Sequence, residues 1–208
     1  MLDAADQIRK ISLKGVGKFV HSKIPFTLVQ VARNEADTEV VCACLAALLA
    51  MSVWPSGRSV LGTCGCLEIV ERCVLHDAGE VMEVALEVLA NVGVDKAVQE
   101  YFKATQVVAT LIRLLGARPN ARVRRAVLTG LVNVCLNDRD ALISIAKKDL
   151  ALDLLEIACS ERGTVDGHKA ALLLSYLMEF REVKAEVTAA ASKLKVDGCD
   201  SRKPRRFF

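Results

Sequence analysis

Eight cysteines and three histidines are the residues of this sequence best suited to chemistry. A structural zinc site takes four such ligands, commonly as two close pairs. Cys64 and Cys66, with one glycine between them, are the one pair placed to chelate, and no second pair stands at zinc-finger spacing. Cys42 and Cys44 lie two apart on an expected helix, so they point about 200° apart and cannot share an ion. Cys73, Cys135 and Cys159 take apolar helix positions, where a free thiol behaves as a small hydrophobe. His21, His76 and His168 are far apart in the chain and fall in no His-Glu-x-x-His or Cys–His pattern. Gly15-Val16-Gly17-Lys18 lacks the upstream glycine and the hydroxyl after lysine that a phosphate loop requires. No nucleophile–base or paired-carboxylate pattern stands out. The expectation is therefore a non-enzyme with no catalytic residue, metal or cofactor. Cys199, near the C-terminus, is the thiol expected to react most readily.

What remains is the chemistry of recognition. Arg118, Arg122, Arg124 and Arg125 crowd the start of one expected helix. Cations there oppose the helix dipole by roughly 0.3–1 kcal/mol each. The other long helices open with acids instead: Asp37 and Glu39, Glu80 and Glu83, Asp166. A second basic group closes the chain, where SRKPRRFF holds Arg202, Lys203, Arg205 and Arg206 and no acid. The net charge is +3, and these four residues account for more than all of it. The body is near neutral, so a basic nucleic-acid-binding domain is not the first reading. Neither basic element helps the chain to fold. For the arginine cluster two readings stand side by side, a solvated face with some ion pairs and an acidic partner surface; the expectation taken to test is that both elements face outward and meet a partner, Arg122 and Arg125 by charge, the tail by charge and through Phe207 and Phe208.

These groups need a frame, and composition indicates one. Of 208 residues, 52% are hydrophobic and 25% charged, too apolar for a disordered chain. Four prolines and 12 glycines favour long helices over a turn-rich sandwich. The start, MLDAADQIRK, is acidic where a secretory signal is basic and then apolar. The longest apolar stretch, 40–54, stops at Pro55, short of the roughly 20 residues of a membrane span. No membrane role, no small-molecule substrate and a reducing compartment, cytoplasmic or cytoskeletal, are expected.

Four segments repeat one pattern: CLAALLAMSV (44–53), ALEVLANVGV (85–94), VLTGLVNVCL (127–136) and ALLLSYLMEF (171–180). Aligning Leu48, Leu89, Leu131 and Leu174 gives spacings of 41, 42 and 43. Two segments carry Leu-x-Asn-Val, with Asn91 and Asn133. A second apolar segment precedes each, at 24–32, 66–74, 107–115 and 151–158, and a break with helix-start residues follows it. These breaks are Asn34 to Asp37, a capping box at Asp77 to Glu80, Pro119-Asn120 and Gly163-Thr164. Between units, 96–103 and 141–148 read as short amphipathic helices. Each unit is thus one short helix and two longer ones.

Three helices in about 42 residues, repeated, resemble an armadillo array. The resemblance implies an all-α, right-handed superhelical solenoid of three-helix repeats. Residues 1–23 would cap it, with a helix at 3–13; residues 24–194 would form about four units with a closing helix at 182–194; residues 195–208 would be a basic tail. A two-helix HEAT-type array is the near alternative. In armadillo arrays the third helix of each unit lines a concave surface to which the Asn of Leu-x-Asn belongs, and in the nuclear-import adaptors that Asn holds the backbone of an extended peptide. The Trp that flanks such a peptide in nuclear-import adaptors is replaced here by Glu87 and Thr129, and the outer Asn positions are Ala50 and Tyr176.

Steps of four along a helix share one face. The inferred groove therefore reads Cys42, Ala46 and Ala50; Glu83, Glu87 and Asn91; Arg125, Thr129 and Asn133; His168, Leu172 and Tyr176. Its ends are apolar and its middle polar. The expected function is a protein-interaction scaffold that binds an extended or helical partner segment through Glu83, Glu87, Asn91, Arg125, Thr129, Asn133 and Tyr176. The alternative is a constitutive subunit of a cytoskeletal, axonemal or ribonucleoprotein assembly, its basic groups on an acidic surface such as tubulin or RNA.

Overall fold

The computed structural model describes residues 20–76, 79–135, 142–143 and 150–196. The chain divides into two compact units, residues 1–141 and 142–208. Among the described residues neither unit contains a strand.

In the first unit, α1 (Ile24–Asn34) and α2 (Thr38–Ser52) make the first helix pair. Then come α3 (Pro55–Leu61), α4 (Cys66–His76) and α5 (Gly79–Val92), followed by α6 (Lys96–Lys103), α7 (Val107–Gly116) and α8 (Ala121–Cys135). The starts follow from local chemistry. Pro25 and Pro55 occupy the first turns of α1 and α3, where a missing N–H costs nothing. The Asp37 carboxylate accepts from the Glu39 N–H at 2.9 Å, and Asp95 accepts from Ala97 N–H at 2.9 Å. The Asn120 side-chain oxygen accepts from Val123 N–H at 2.9 Å. Each of these caps satisfies a donor that the helix leaves open. The expected capping box at 77–80 falls partly outside the described residues.

Packing follows the repeat. Helices α2, α5 and α8 lie against one another in turn, and α1, α4 and α7 form a second row behind them. Short α3 touches α2 and α5, and short α6 touches α7 and α8. Leu48, Leu89 and Leu131 are 0% exposed between these elements. A buried leucine contributes about 1.5–3 kcal/mol. Gly130 permits a close approach of α8 to α5: a Cβ there would stand 2.8 Å from Leu89 Cδ2 and 3.3 Å from Leu111 Cδ1. At Gly57 a Cβ would collide with the Met51 carbonyl oxygen, so α3 can press against the end of α2 only without a side chain there.

Burial at equivalent positions shows what each repeat gives the next. Leu67 and Val108 are 6% and 9% exposed, whereas Phe26, at the same register in α1, is 55% exposed. Ala90 and Val132 are buried on α5 and α8, whereas Leu49 on α2 is half-buried. No described helix precedes α1 and α2 to cover these side chains. The capping helix expected at 3–13 lies outside the described residues.

The second unit holds α9 (Leu150–Ser160), α10 (Val165–Leu177) and α11 (Arg181–Val196), with α9 against both α10 and α11. Thr164 caps α10 by accepting from Gly167 N–H at 3.1 Å. The expected closing helix corresponds to α11. The short helix expected at 141–148 is described only at 142–143, where Leu142 is buried. One expected column is corrected here. Leu174 is half-buried, while Leu173 is 1% exposed, so the buried leucine falls one residue earlier. One residue turns a helix by about 100°. Leu172 and Tyr176 are accordingly half-buried, and Ala171 and Ser175 are exposed.

Replacing Leu131 by Ala should lower the unfolding free energy by about 2–5 kcal/mol, through lost transfer energy and the cavity left beside Leu89. Denaturant unfolding of L131A measures this directly, and an unchanged midpoint would contradict the packing.

Candidate functional site

The open sides of α2, α5 and α8 make one face. On α2 it presents Cys42, Ala46 and Ala50, all half-buried and uncharged. On α5 it presents Glu83, Glu87 and Asn91, and on α8 Arg125, Thr129 and Asn133; of these Arg125 is exposed and the others are half-buried. The Thr129 hydroxyl donates to the carbonyl of Arg125 at 2.6 Å within its own helix.

The two asparagines do the same work at successive repeats. Asn91 donates from Nδ2 to Ser52 Oγ at 2.8 Å, and Ser52 in turn donates to the Leu49 carbonyl at 2.7 Å. Asn133 donates from Nδ2 to the Ala90 carbonyl at 2.7 Å. Each bond crosses to the preceding repeat. An asparagine amide has two N–H donors and one carbonyl acceptor. One donor orients each side chain, and the second donor and the oxygen keep their capacity for a ligand.

The arginine cluster is more internal than its sequence suggests. Arg122, in the first turn of α8, donates from Nε to Glu87 Oε1 at 2.7 Å and from Nη1 to Glu83 Oε2 at 3.1 Å. Asn120 Nδ2 donates to the other Glu83 oxygen at 2.9 Å. The hydrogen bond that Arg122 donates to Glu87 raises the Arg122 pKa above its ordinary value, and the charges of Glu87, Glu83 and Glu80 add to it. The expectation that Arg122 does nothing for the fold is therefore corrected. Two carboxylates of α5 neutralise the cation that opposes the α8 dipole, and the pair ties the two repeats together. Arg118, Arg124 and Arg125 also have interaction partners.

Arg118 adds a backbone feature. Its φ is +53°, in the turn between α7 and α8. The same helix-to-helix turns elsewhere use Gly79, at +63°, and Gly163, at +85°. Arginine thus stands where glycine is the unstrained choice.

Three of the described thiols, Cys44, Cys66 and Cys73, are core residues. Cys66 and Cys73 are 0% exposed, and burial pushes the Cys66 thiol well above its usual range, with Cys64, Glu68 and Cys73 adding to the shift. Burial likewise raises Cys44 and Cys64. Among the described residues, no three His, Cys, Asp or Glu side chains gather as a metal site. No helix there is long and apolar enough to cross a membrane.

In the second unit, Tyr176 is half-buried on α10 and His168 is exposed. Arg202, Lys203, Arg205 and Arg206, with Cys199, lie outside the described residues. Sequence reasoning missed Ser52, Arg72 and the Tyr101–Glu71 pair. Arg72 donates to the Ala32 and Arg33 carbonyls at 2.8 and 3.1 Å, capping the end of α1 from the next repeat. The Tyr101 hydroxyl donates to Glu71 Oε2 at 2.9 Å. Nothing local marks these residues, because each partner is 30 or more positions away.

Known structures decide the architecture. A designed armadillo repeat protein matches with a TM-score of 0.74 over 94% of this chain and 84% of its own, at 14% identity. The fold is an armadillo array. Computationally designed armadillo repeat proteins for modular peptide recognition match at 0.74 over 94% of this chain and 83% of theirs, at 15% identity. A designed armadillo repeat protein in complex with peptide (KR)4 matches at 0.72 over 94% and 83%, at 14% identity. Identities this low speak for the fold alone. No protein-family model and no curated protein matches the sequence.

At this left-handed position glycine should be favoured over alanine. Arg118→Gly is expected to be about 0.5–1 kcal/mol more stable than Arg118→Ala, since both remove the same side-chain interactions, the strain left in alanine is of order 1–2 kcal/mol and glycine loses more entropy on folding. Thermal unfolding of R118G against R118A checks this.

The Cys66 thiol gives a pH dependence. Its proton is held more tightly in the folded chain than in the unfolded one, so its contribution to stability is complete below an ordinary thiol pKa. That contribution declines as pH rises through about 8.5 toward the folded value. Urea midpoints measured from pH 7 to 10 should fall, and C66A should flatten that alkaline limb.

Proposed function

We propose that this armadillo array is a non-catalytic interaction scaffold whose α2–α5–α8 face binds an extended segment of a partner protein. One observation carries the reading: Asn91 and Asn133 present oriented, half-buried amides at the same register of adjacent repeats, each with a donor and an acceptor still to offer. An extended backbone presents N–H and C=O groups in alternation, which is what such amides can hold. Packed helices stand about 8–10 Å apart, a distance spanned by two to three extended residues at about 3.3 Å each. The uncharged strip of Cys42, Ala46 and Ala50 would take apolar side chains of that segment.

A reducing compartment, cytoplasmic or cytoskeletal, suits this reading, since Cys42, Cys44, Cys64, Cys66, Cys73 and Cys159 are free thiols. The assembly-subunit alternative draws on the arginine cluster, and the engagement of Arg122 by Glu83 and Glu87 weakens its support. Peptide recognition by the designed armadillo proteins adds support for a peptide-binding role.

The test is selection of a displayed library of random octapeptides on the full-length chain. Selected peptides should bind the N91A/N133A variant about 5- to 150-fold more weakly, the loss expected for two hydrogen bonds of roughly 0.5–1.5 kcal/mol each. Helical circular dichroism verifies that the variant is folded. Equal binding to the parent and the folded variant would remove these amides from the site and refute the reading.

A further inference from the structure

Arg122 occupies a register at which the two earlier repeats carry the opposite charge. Counting back from the aligned leucines, its equivalents are Glu80 on α5 and Glu39 on α2. Glu83 and Glu87 stand one turn apart on the same side of α5, with Glu80 one turn further back. Without Arg122 the face would set these four acids against Arg125 alone, an excess of negative charge that would draw in lysine and arginine side chains. The arginine at 122 changes that. Its guanidinium spans both α5 carboxylates, at 2.7 Å to Glu87 and 3.1 Å to Glu83. The side chain is 45% exposed, and those of Glu83 and Glu87 are 19% and 30% exposed. The bridge therefore lies at the surface of the face, where a bound segment would pass.

We infer that Arg122 is a specificity-determining residue: by filling the space between Glu83 and Glu87 it bars basic side chains from the second repeat, so that the face selects segments without lysine or arginine there. The inference rests on the peptide-binding reading above and adds the class of partner to it. Three physical points support it. A guanidinium held by two carboxylates in charge-assisted hydrogen bonds occupies one oxygen of each and the space between them, where an incoming cation would sit. Its own positive charge repels a second cation, and discrimination of this kind commonly depends on a repulsive element. The intramolecular arginine also competes without the entropy loss of association that a partner's side chain incurs.

Asn120 strengthens the arrangement. It accepts from Val123 N–H through its oxygen while its Nδ2 holds the second Glu83 oxygen at 2.9 Å. The Glu83 carboxylate is thereby fixed from two sides, both belonging to the third repeat. Removing Arg122 alone would leave Glu83 oriented and uncover one full carboxylate, that of Glu87, beside it.

The experiment measures binding of a fluorescent (KR)4 octapeptide by anisotropy to five full-length proteins at about 50 mM salt. They are the parent, R122A, R122Q, R122A with E83Q and E87Q, and R113A. The last removes the same charge from exposed Arg113 on α7, away from the face. R122A should bind the peptide at least about tenfold more tightly than the parent, R113A no more than about twofold. The E83Q/E87Q background should abolish the gain, and salt of about 0.5 M should erase it, as expected for screened contacts. R122Q, which keeps hydrogen-bonding capacity without charge, serves as the second variant, and unfolding midpoints establish that each protein is folded. Equal gains in R122A and R113A would reduce the effect to net charge and overturn the inference. So would a parent that binds (KR)4 as tightly as R122A. Octapeptides selected on the parent separate the two readings: if their binding depends on Asn91 and Asn133 while R122A shows no gain, the scaffold reading stands and the role given to Arg122 falls.

Discussion

Leu48, Leu89 and Leu131 leave water only when α2, α5 and α8 lie side by side, and the rest of the first unit depends on that stacking. None of these helices can cover its apolar side alone. Each needs a neighbour of the same kind, which is why the pattern recurs every 41 or 42 residues. The small residues serve the same requirement. Gly130 lets α8 close on Leu89, and Gly57 lets α3 close on the end of α2. Where a neighbour is missing among the described residues, the same positions stand open, as Phe26 and Leu49 do.

Polar side chains then lock what apolar contact brings together. Arg72 holds the end of α1, Asn91 reaches Ser52, Asn133 reaches the end of α5, and Arg122 holds Glu83 and Glu87. All four act from one repeat on the one before it. Apolar packing is tolerant of small slides, and directional hydrogen bonds are not. These bonds fix the register of the α2–α5–α8 row and thereby the spacing of the groups on its open face. In the proposed peptide-binding role, structure and recognition would share residues: the amides that set the register would also hold the partner.

Charge is arranged by the same logic. An arginine in the first turn of a helix is unfavourable in isolation. In the array the preceding repeat supplies two carboxylates that offset it. The left-handed Arg118 one turn away is a different case, since the neighbouring turns reach the same geometry with glycine. Three of the described cysteines, Cys44, Cys66 and Cys73, belong to the core, and the Cys66 thiol is held neutral there.

The sequence alone determined the helical class, the repeat, the buried leucines at 48, 89 and 131, and the caps at Asp37, Asn120 and Thr164, because all of these are local or periodic properties. A hydrophobic period of 3.6 and a cap beside it are visible within a dozen residues. It placed Leu174 in the core where Leu173 belongs, since four adjacent apolar residues at 171–174 leave the helix phase undetermined. Only the tertiary structure decided that Arg122 faces Glu83 and Glu87, that Asn91 meets Ser52, and that Asn133 meets the Ala90 carbonyl. Those partners are 35 to 43 residues apart. Separation along the chain carries no information about them until the repeats stack, and stacking is set by the shapes of buried side chains that a pattern of apolar letters does not record.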